Sequence, residues 1–185
     1  MPRNHNKRDR RRLQRPAAAD GVGAMGPTIY RLAADRDYVK IPEAVAKRSQ
    51  DLQWTDSYGS TGLHLLCQAR HVTPDLLLAV QACLDAYPAI VKWANAATWT
   101  SLHFAVYQDS CADRDESLRV ELIRMLLQAC PDALGSRATS SYKSKTAFHM
   151  ACEVDASFEI LKLMLEIDPS LATATYLPPK RTRST

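Results

Sequence analysis

Glycine is scarce in this chain. Only six occur in 185 residues, and three of them (Gly21, Gly23, Gly26) crowd into one stretch. A phosphate cradle needs closely spaced glycines ahead of a helix, so neither a P-loop nor a dinucleotide-binding turn is present. Long apolar runs are also missing: no window approaches the roughly eighteen apolar residues of a membrane-spanning helix. The N-terminus starts basic, but Ala17 to Gly26 is interrupted by Asp20 and three glycines. That argues against a secretory signal. The five cysteines (Cys67, Cys83, Cys111, Cys130, Cys152) are odd in number and include no Cys-x-x-Cys pair. Reduced thiols inside a cell are therefore expected, rather than a disulfide framework.

The net charge of +4 hides an asymmetry. Residues 1–15 carry seven basic side chains, Arg3 to Arg15, against the single acid Asp9, and Lys180, Arg181 and Arg183 sit near the other end. The rest holds 14 basic against 19 acidic residues. The chain is thus an acidic body with basic ends. Residues 1–26 read as a disordered basic tail and an Ala/Gly/Pro linker, with little to bury. Residues 27–175 read as one folded domain and 176–185 as a C-terminal tail.

What is present in that body is a pattern that returns. Thr61-Gly62-Leu63-His64, Thr100-Ser101-Leu102-His103 and Thr146-Ala147-Phe148-His149 each set a Thr, a small residue, a large apolar residue and a His ahead of an apolar stretch. Recurrence of this kind points to a repeat architecture. Pro88, Pro131 and Pro169 align the units further. Four residues before them stand Leu84, Leu127 and Leu165, and five before, Cys83, Leu126 and Met164. Eight before stand Val80, Ile123 and Leu161, and eleven before, Leu77, Val120 and Phe158. These offsets fall on one helical face, which is expected to be buried. Proline then stops each helix. Residues 28–52 repeat the apolar spacing without the Thr–His motif, and their second helix is expected near Lys40. With 28–52 as the first, four helical hairpins are expected in all, with loops at 53–60, 92–99 and 135–145. Gln108–Ser117 is expected to be an exposed excursion, and no strands are expected.

These residues resemble ankyrin repeats, whose pattern is Asp or Asn, Gly, then Thr-Pro-Leu-His-x-Ala. Asp56, Gly59, Thr61, Leu63 and His64 match it, as do Asn95, Thr100, Leu102, His103 and Ala105, and Thr146, Phe148, His149 and Ala151. The likeness covers residues 28–172, with Tyr30 where the first unit would have His. The chain departs from the pattern in several places. Gly62, Ser101 and Ala147 replace the motif proline, Thr98 and Ser144 replace the turn glycine, and the glycine between the helices is missing throughout. Other helical-hairpin solenoids carry the same apolar spacing. The resemblance implies an all-α solenoid of about four ankyrin-like helix–turn–helix repeats. It implies a non-catalytic protein-interaction module or scaffold inside the cell, cytoplasmic or nuclear. In such arrays Thr61, Thr100 and Thr146 cap their helices, and His64, His103 and His149 tie each turn to its neighbours.

For a protein partner, whose identity is open, the contact candidates are the aromatic residues near the loops: Tyr58, Trp99, Tyr107 and Tyr142. Tyrosine and tryptophan dominate interface hot spots. The alternative is that they pack against the adjacent unit; Trp54 and Trp93, at matching positions, fit that packing role. The second functional reading is a nucleic-acid-associated or nuclear adaptor acting through the Arg3–Arg15 tail, with salt-sensitive binding. No aromatic residue interleaves those charges to stack on bases. The His64/Cys67 and His149/Cys152 pairs have helical spacing that suits zinc. A structural His beside a small buried Cys is the expected reading, because no close Cys-x-x-Cys pair completes a ligand set. No metal, cofactor or catalytic residue is expected, and no membrane partner.

Overall fold

A computed structural model of the chain describes residues 26–108, 116–138 and 145–173. These residues are mostly helical. Among them, eight α-helices come in successive pairs: α1 (Thr28–Ala34) with α2 (Ile41–Lys47), α3 (Gly62–Cys67) with α4 (Pro74–Ala86), α5 (Ser101–Tyr107) with α6 (Glu116–Ala129), and α7 (Ala147–Glu153) with α8 (Phe158–Ile167). Helices α1, α3, α5 and α7 pack on one another in chain order and make one layer. Helices α2, α4, α6 and α8 do the same and make the second. None of the described helices is long and apolar enough to cross a membrane.

The first-layer helices have only six or seven residues. Isolated helices that short are unstable in water, so packing and capping must hold them. Their inward positions supply the packing: Ile29, Leu63, Leu66, Leu102 and Ala105 are fully buried. The second-layer helices stop where the prolines require. Tyr87, Cys130 and Asp168 precede proline and leave helical geometry, with φ of −155°, −154° and −137°. The ring that follows excludes helical backbone there. Each proline then opens a 3-10 turn, at Pro88–Lys92, Pro131–Gly135 and Pro169–Thr173. Ser49–Gln53 makes the same turn without a proline. The apolar pairs inside these turns fold back under the helix ends, with Ile90, Val91, Ala133, Leu134 and Leu171 buried and Ala172 exposed. The start of α2 at Ile41 follows a 3-10 turn at Tyr38–Lys40, one residue from the expected place.

Two expectations need correction. Short paired segments do occur: β1 (Arg137–Ala138) runs antiparallel to β2 (Lys145–Thr146), and Ala94 bridges Thr100. The chain leaving each 3-10 turn comes back on itself to reach the Thr that opens the next helix. Two-residue strands are too short to leave an alternation in the sequence. The second correction concerns Phe158, expected on the buried face and found 74% exposed at the first residue of α8. Its counterparts have a following helix to cover them; among the described residues α8 has none. The Arg3–Arg15 tail, most of the Gln108–Ser117 excursion, Tyr142, Ser144 and residues 176–185 lie outside the described residues.

Candidate interaction surface

The recurring Thr–His pair builds a full capping box twice and a Thr cap a third time. Thr61 has extended backbone (φ −91°, ψ 171°) and caps α3 by accepting from the His64 amide. The His64 ring folds back, and its Nδ1 accepts from the Thr61 amide at 3.0 Å and lies 2.8 Å from the Thr61 hydroxyl. Two orphan donors of a short helix are thereby satisfied. Because Nδ1 accepts an N–H, the ring proton sits on Nε2. Nε2 donates to the carbonyl of Trp99, in the turn ahead of α5, at 3.1 Å. Thr100 and His103 repeat the box, with Nδ1 3.2 Å from the Thr100 amide and Nε2 reaching the Lys145 carbonyl at 3.4 Å. Thr146 caps α7, and its hydroxyl lies 2.7 Å from His149 Nδ1. So His64 and His103 each tie their helix to the turn before the next one. Burial pushes both imidazoles down, His103 to about 4, although the carbonyls they meet favour the charged form. Both remain neutral.

The first pair uses a different residue for the same task. Tyr30 in α1 donates its hydroxyl to Oδ2 of Asp56, in the turn ahead of α3, at 2.7 Å. Oδ1 of Asp56 accepts from the amides of Tyr58 and Ser60 at 2.9 and 2.8 Å. Asn95 does the same in the next turn, accepting from Ala97 and Trp99 at 3.0 Å each. Asx side chains close turns in this way. The two turns are joined edge to edge, Ala96 donating its amide to the Tyr58 carbonyl at 2.7 Å. Gly59 and Thr98 occupy matching places and both have positive φ, 72° and 60°. A β-branched residue is costly in that region. The Thr98 hydroxyl donates to the Ala97 carbonyl at 2.7 Å.

The aromatic candidates part company here. Tyr58 stands 62% exposed at the tip of its turn. Trp99, expected as a partner contact, is only 3% exposed. Its ring packs 5.0 Å from Phe104 and 5.3 Å from Tyr107, centroid to centroid. Trp99 is therefore a packing residue between the turn and α5, and Tyr107 is half-buried beside it. Trp54 lies against Tyr30, and Trp93 against Tyr87. The exposed rim of the turns includes Tyr58, the edge of Trp54, Thr55, Ser57 and small residues at Ala94, Ala96 and Ala97.

Among the described residues, no three His, Cys, Asp or Glu side chains gather so as to hold a metal ion. Both nitrogens of His64 are engaged within the chain. Cys67 is buried and burial raises its thiol, whereas Cys152 is exposed. Burial raises Cys83 to about 12.

One structural residue escapes the pattern reading. Arg119 in α6 is fully buried, and its Nη2 donates to the carbonyls of Ala69 and Arg70, just beyond the end of α3, at 3.0 and 2.9 Å. The proline alignment held a signal for it. Twelve residues before Pro88 stands Leu76, also fully buried, so Arg119 occupies an inward position. No protein-family model matches the chain, and no curated protein matches it.

Proposed function

We propose that this chain is a divergent ankyrin-like helical-repeat protein and that it acts as a non-catalytic protein-interaction module. The observation that carries the reading is the Thr–His box, which returns with the same internal geometry at Thr61/His64 and Thr100/His103 and each time reaches the following turn. A chain of turns held in this way presents its tips without losing much entropy when a partner docks. Tyr58, at an exposed tip beside the Trp54 edge, is the contact residue favoured. Trp99 is withdrawn as a contact because it is buried.

The test is affinity capture with the full chain from a cell lysate, with and without nuclease, read by mass spectrometry. A protein retained after nuclease and lost with Tyr58→Ala supports the reading. Material that nuclease or salt removes, with no effect of Tyr58→Ala, assigns the binding to the Arg3–Arg15 tail instead, since phosphate contacts are salt-dependent.

A further inference from the structure

His64 and His103 share a peptide group. The carbonyl of Trp99 and the amide of Thr100 belong to one planar unit. His64 Nε2 donates to that carbonyl at 3.1 Å, and that amide donates to His103 Nδ1 at 3.2 Å. The line starts at the Thr61 amide, 3.0 Å from His64 Nδ1, and ends at the Lys145 carbonyl, 3.4 Å from His103 Nε2. All its donors point the same way, so each bond polarises the next. Each ring already carries its one proton on Nε2, so a further proton has only Nδ1 to join. There it faces an amide hydrogen, which cannot turn aside. The Thr61 hydroxyl, 2.8 Å from His64 Nδ1, already accepts from the His64 amide. An imidazolium must therefore swing out of its box, and in doing so it releases the carbonyl it held as well.

The surroundings do not rescue the charge. Asp56 favours a proton on His64, but its oxygens are engaged by Tyr30 and by the amides of Tyr58 and Ser60. Phe104 of α5 meets the same ring edge-on, 5.8 Å between centroids. From α4 and α6, Cys83 and Arg119 act on Cys67, one turn past His64. His103 has His64 itself nearby, which disfavours a second charge, and the Trp99 ring at 6.3 Å. Toward α7 stand Lys145, paired with Glu153, and His149, bonded to Thr146. The second layer differs. Its buried faces on α4 and α6 are apolar apart from Cys83, at about 12, and Arg119. Neither changes its proton between about pH 7 and 4.

We propose that the shared peptide is an acid-sensitive latch. Protons taken up at the two rings release the 99–100 peptide from both in one step, and the row of turns lets go of α3 and α5 while α4 and α6 stay packed. The rim loosens with it, because Ala96 in the same turn holds the Tyr58 carbonyl at 2.7 Å. Burial keeps both rings below 6.5, His103 at about 4, so the opened form binds protons more readily. The closed form is thus complete above 6.5 and loses ground as the pH falls toward 4.

Hydrogen exchange of the full chain, resolved by NMR at the Thr61 and Thr100 amides and along α4 and α6, tests this. Joint opening takes up two protons, so protection at both amides should fall about a hundredfold between roughly pH 6 and 5, while α4 and α6 keep theirs. A fall of only about tenfold at each amide would mean independent boxes and overturn the shared latch. Loss at α4 and α6 in step with Thr100 would mean global unfolding and overturn it too, as would protection that does not change. His64→Ala removes one of the two protons and should cut the fall at Thr100 to about tenfold, although His103 and its own box are untouched. Tyr30→Phe weakens a neighbouring contact outside the line and should leave the hundredfold fall in place. If His64→Ala does not fold, the wild-type profile decides by itself.

Discussion

The Tyr30 hydroxyl donates to the Asp56 carboxylate across 26 residues of sequence, linking α1 to the turn ahead of α3. A hydrogen bond to a charged acceptor is worth more than a neutral one, so Tyr30→Phe should lower unfolding stability by about 1–2 kcal/mol in urea titrations. Burial and the Asp56 carboxylate hold the phenol above its ordinary value of 10.0. Its contribution is complete below pH 10 and is lost as pH rises through the elevated value. The difference between the two proteins should therefore stay flat from pH 7 to 10 and shrink above that.

His103 gives the opposite dependence. Its folded value of about 4 lies below 6.5, so the unfolded chain binds the proton more readily. The stability it contributes is present above pH 6.5 and is lost as pH falls toward 4. The gap between those values corresponds to roughly 3 kcal/mol. The wild type should lose about that much more stability than His103→Ala between pH 7 and 4, measured by urea midpoints. Parallel pH profiles would refute the assignment.

Thr98 at φ 60° holds a place that Gly59 fills in the preceding turn. Thr98→Gly should raise stability by about 1 kcal/mol, since glycine takes this conformation without strain. Gly59→Ala should do the reverse. The added Cβ would stand 3.3 Å from the Ala96 amide nitrogen, at a φ of +72°. Thermal melts of the two variants should move in opposite directions.

Ser101 is fully buried and its hydroxyl has no hydrogen-bond partner among the described residues. Gly62 and Ala147 hold the same place without a hydroxyl. Removing a buried, unpartnered polar group is neutral or favourable, so Ser101→Ala should match or exceed wild-type stability by up to about 1 kcal/mol. Ser101→Pro should also fold, because position N1 accepts proline and Thr100 is already extended at ψ 168°. A loss of more than about 1 kcal/mol in Ser101→Ala would show a hidden role for the hydroxyl.

Arg119→Met keeps much of the volume and removes the donors to Ala69 and Arg70. Removing the donor from the buried Ala69 carbonyl and the part-buried Arg70 carbonyl should lower stability by about 1–3 kcal/mol. Hydrogen exchange should report the loss locally, at amides near the end of α3, although the substitution lies in α6.

Much of this arrangement is legible in the residues. The offsets from Pro88, Pro131 and Pro169 mark where helices stop because proline acts through local sterics, which need no knowledge of the neighbours. The Thr–His box is equally local, three residues apart on one helix end. What the sequence hides is set by distant partners. Trp99 reads as a loop residue, yet Phe104 and Tyr107 of the adjoining helix cover it. Phe158 reads as buried because its pattern matches Val120, and its exposure depends on whether another helix follows. Arg119 is hidden in the sequence because a charged residue fits an inward position only where carbonyls receive it, and those of Ala69 and Arg70 lie far away in the chain. Thr98 is the intermediate case: alignment with Gly59 locates its turn position, and only the backbone reveals that it adopts glycine's conformation there.

The reach of Arg119 also orders events in time. The carbonyls of Ala69 and Arg70 receive their donor from a residue 50 and 49 positions later in the chain. At 5–20 residues per second, a ribosome needs about 3–10 s to supply it. During that interval the second helix pair can form its Thr61–His64 cap, but the end of α3 is still incomplete. The nascent chain therefore passes through an interval in which the carbonyls of Ala69 and Arg70 exist and their buried donor does not, and the rate of translation between residues 70 and 119 sets its length.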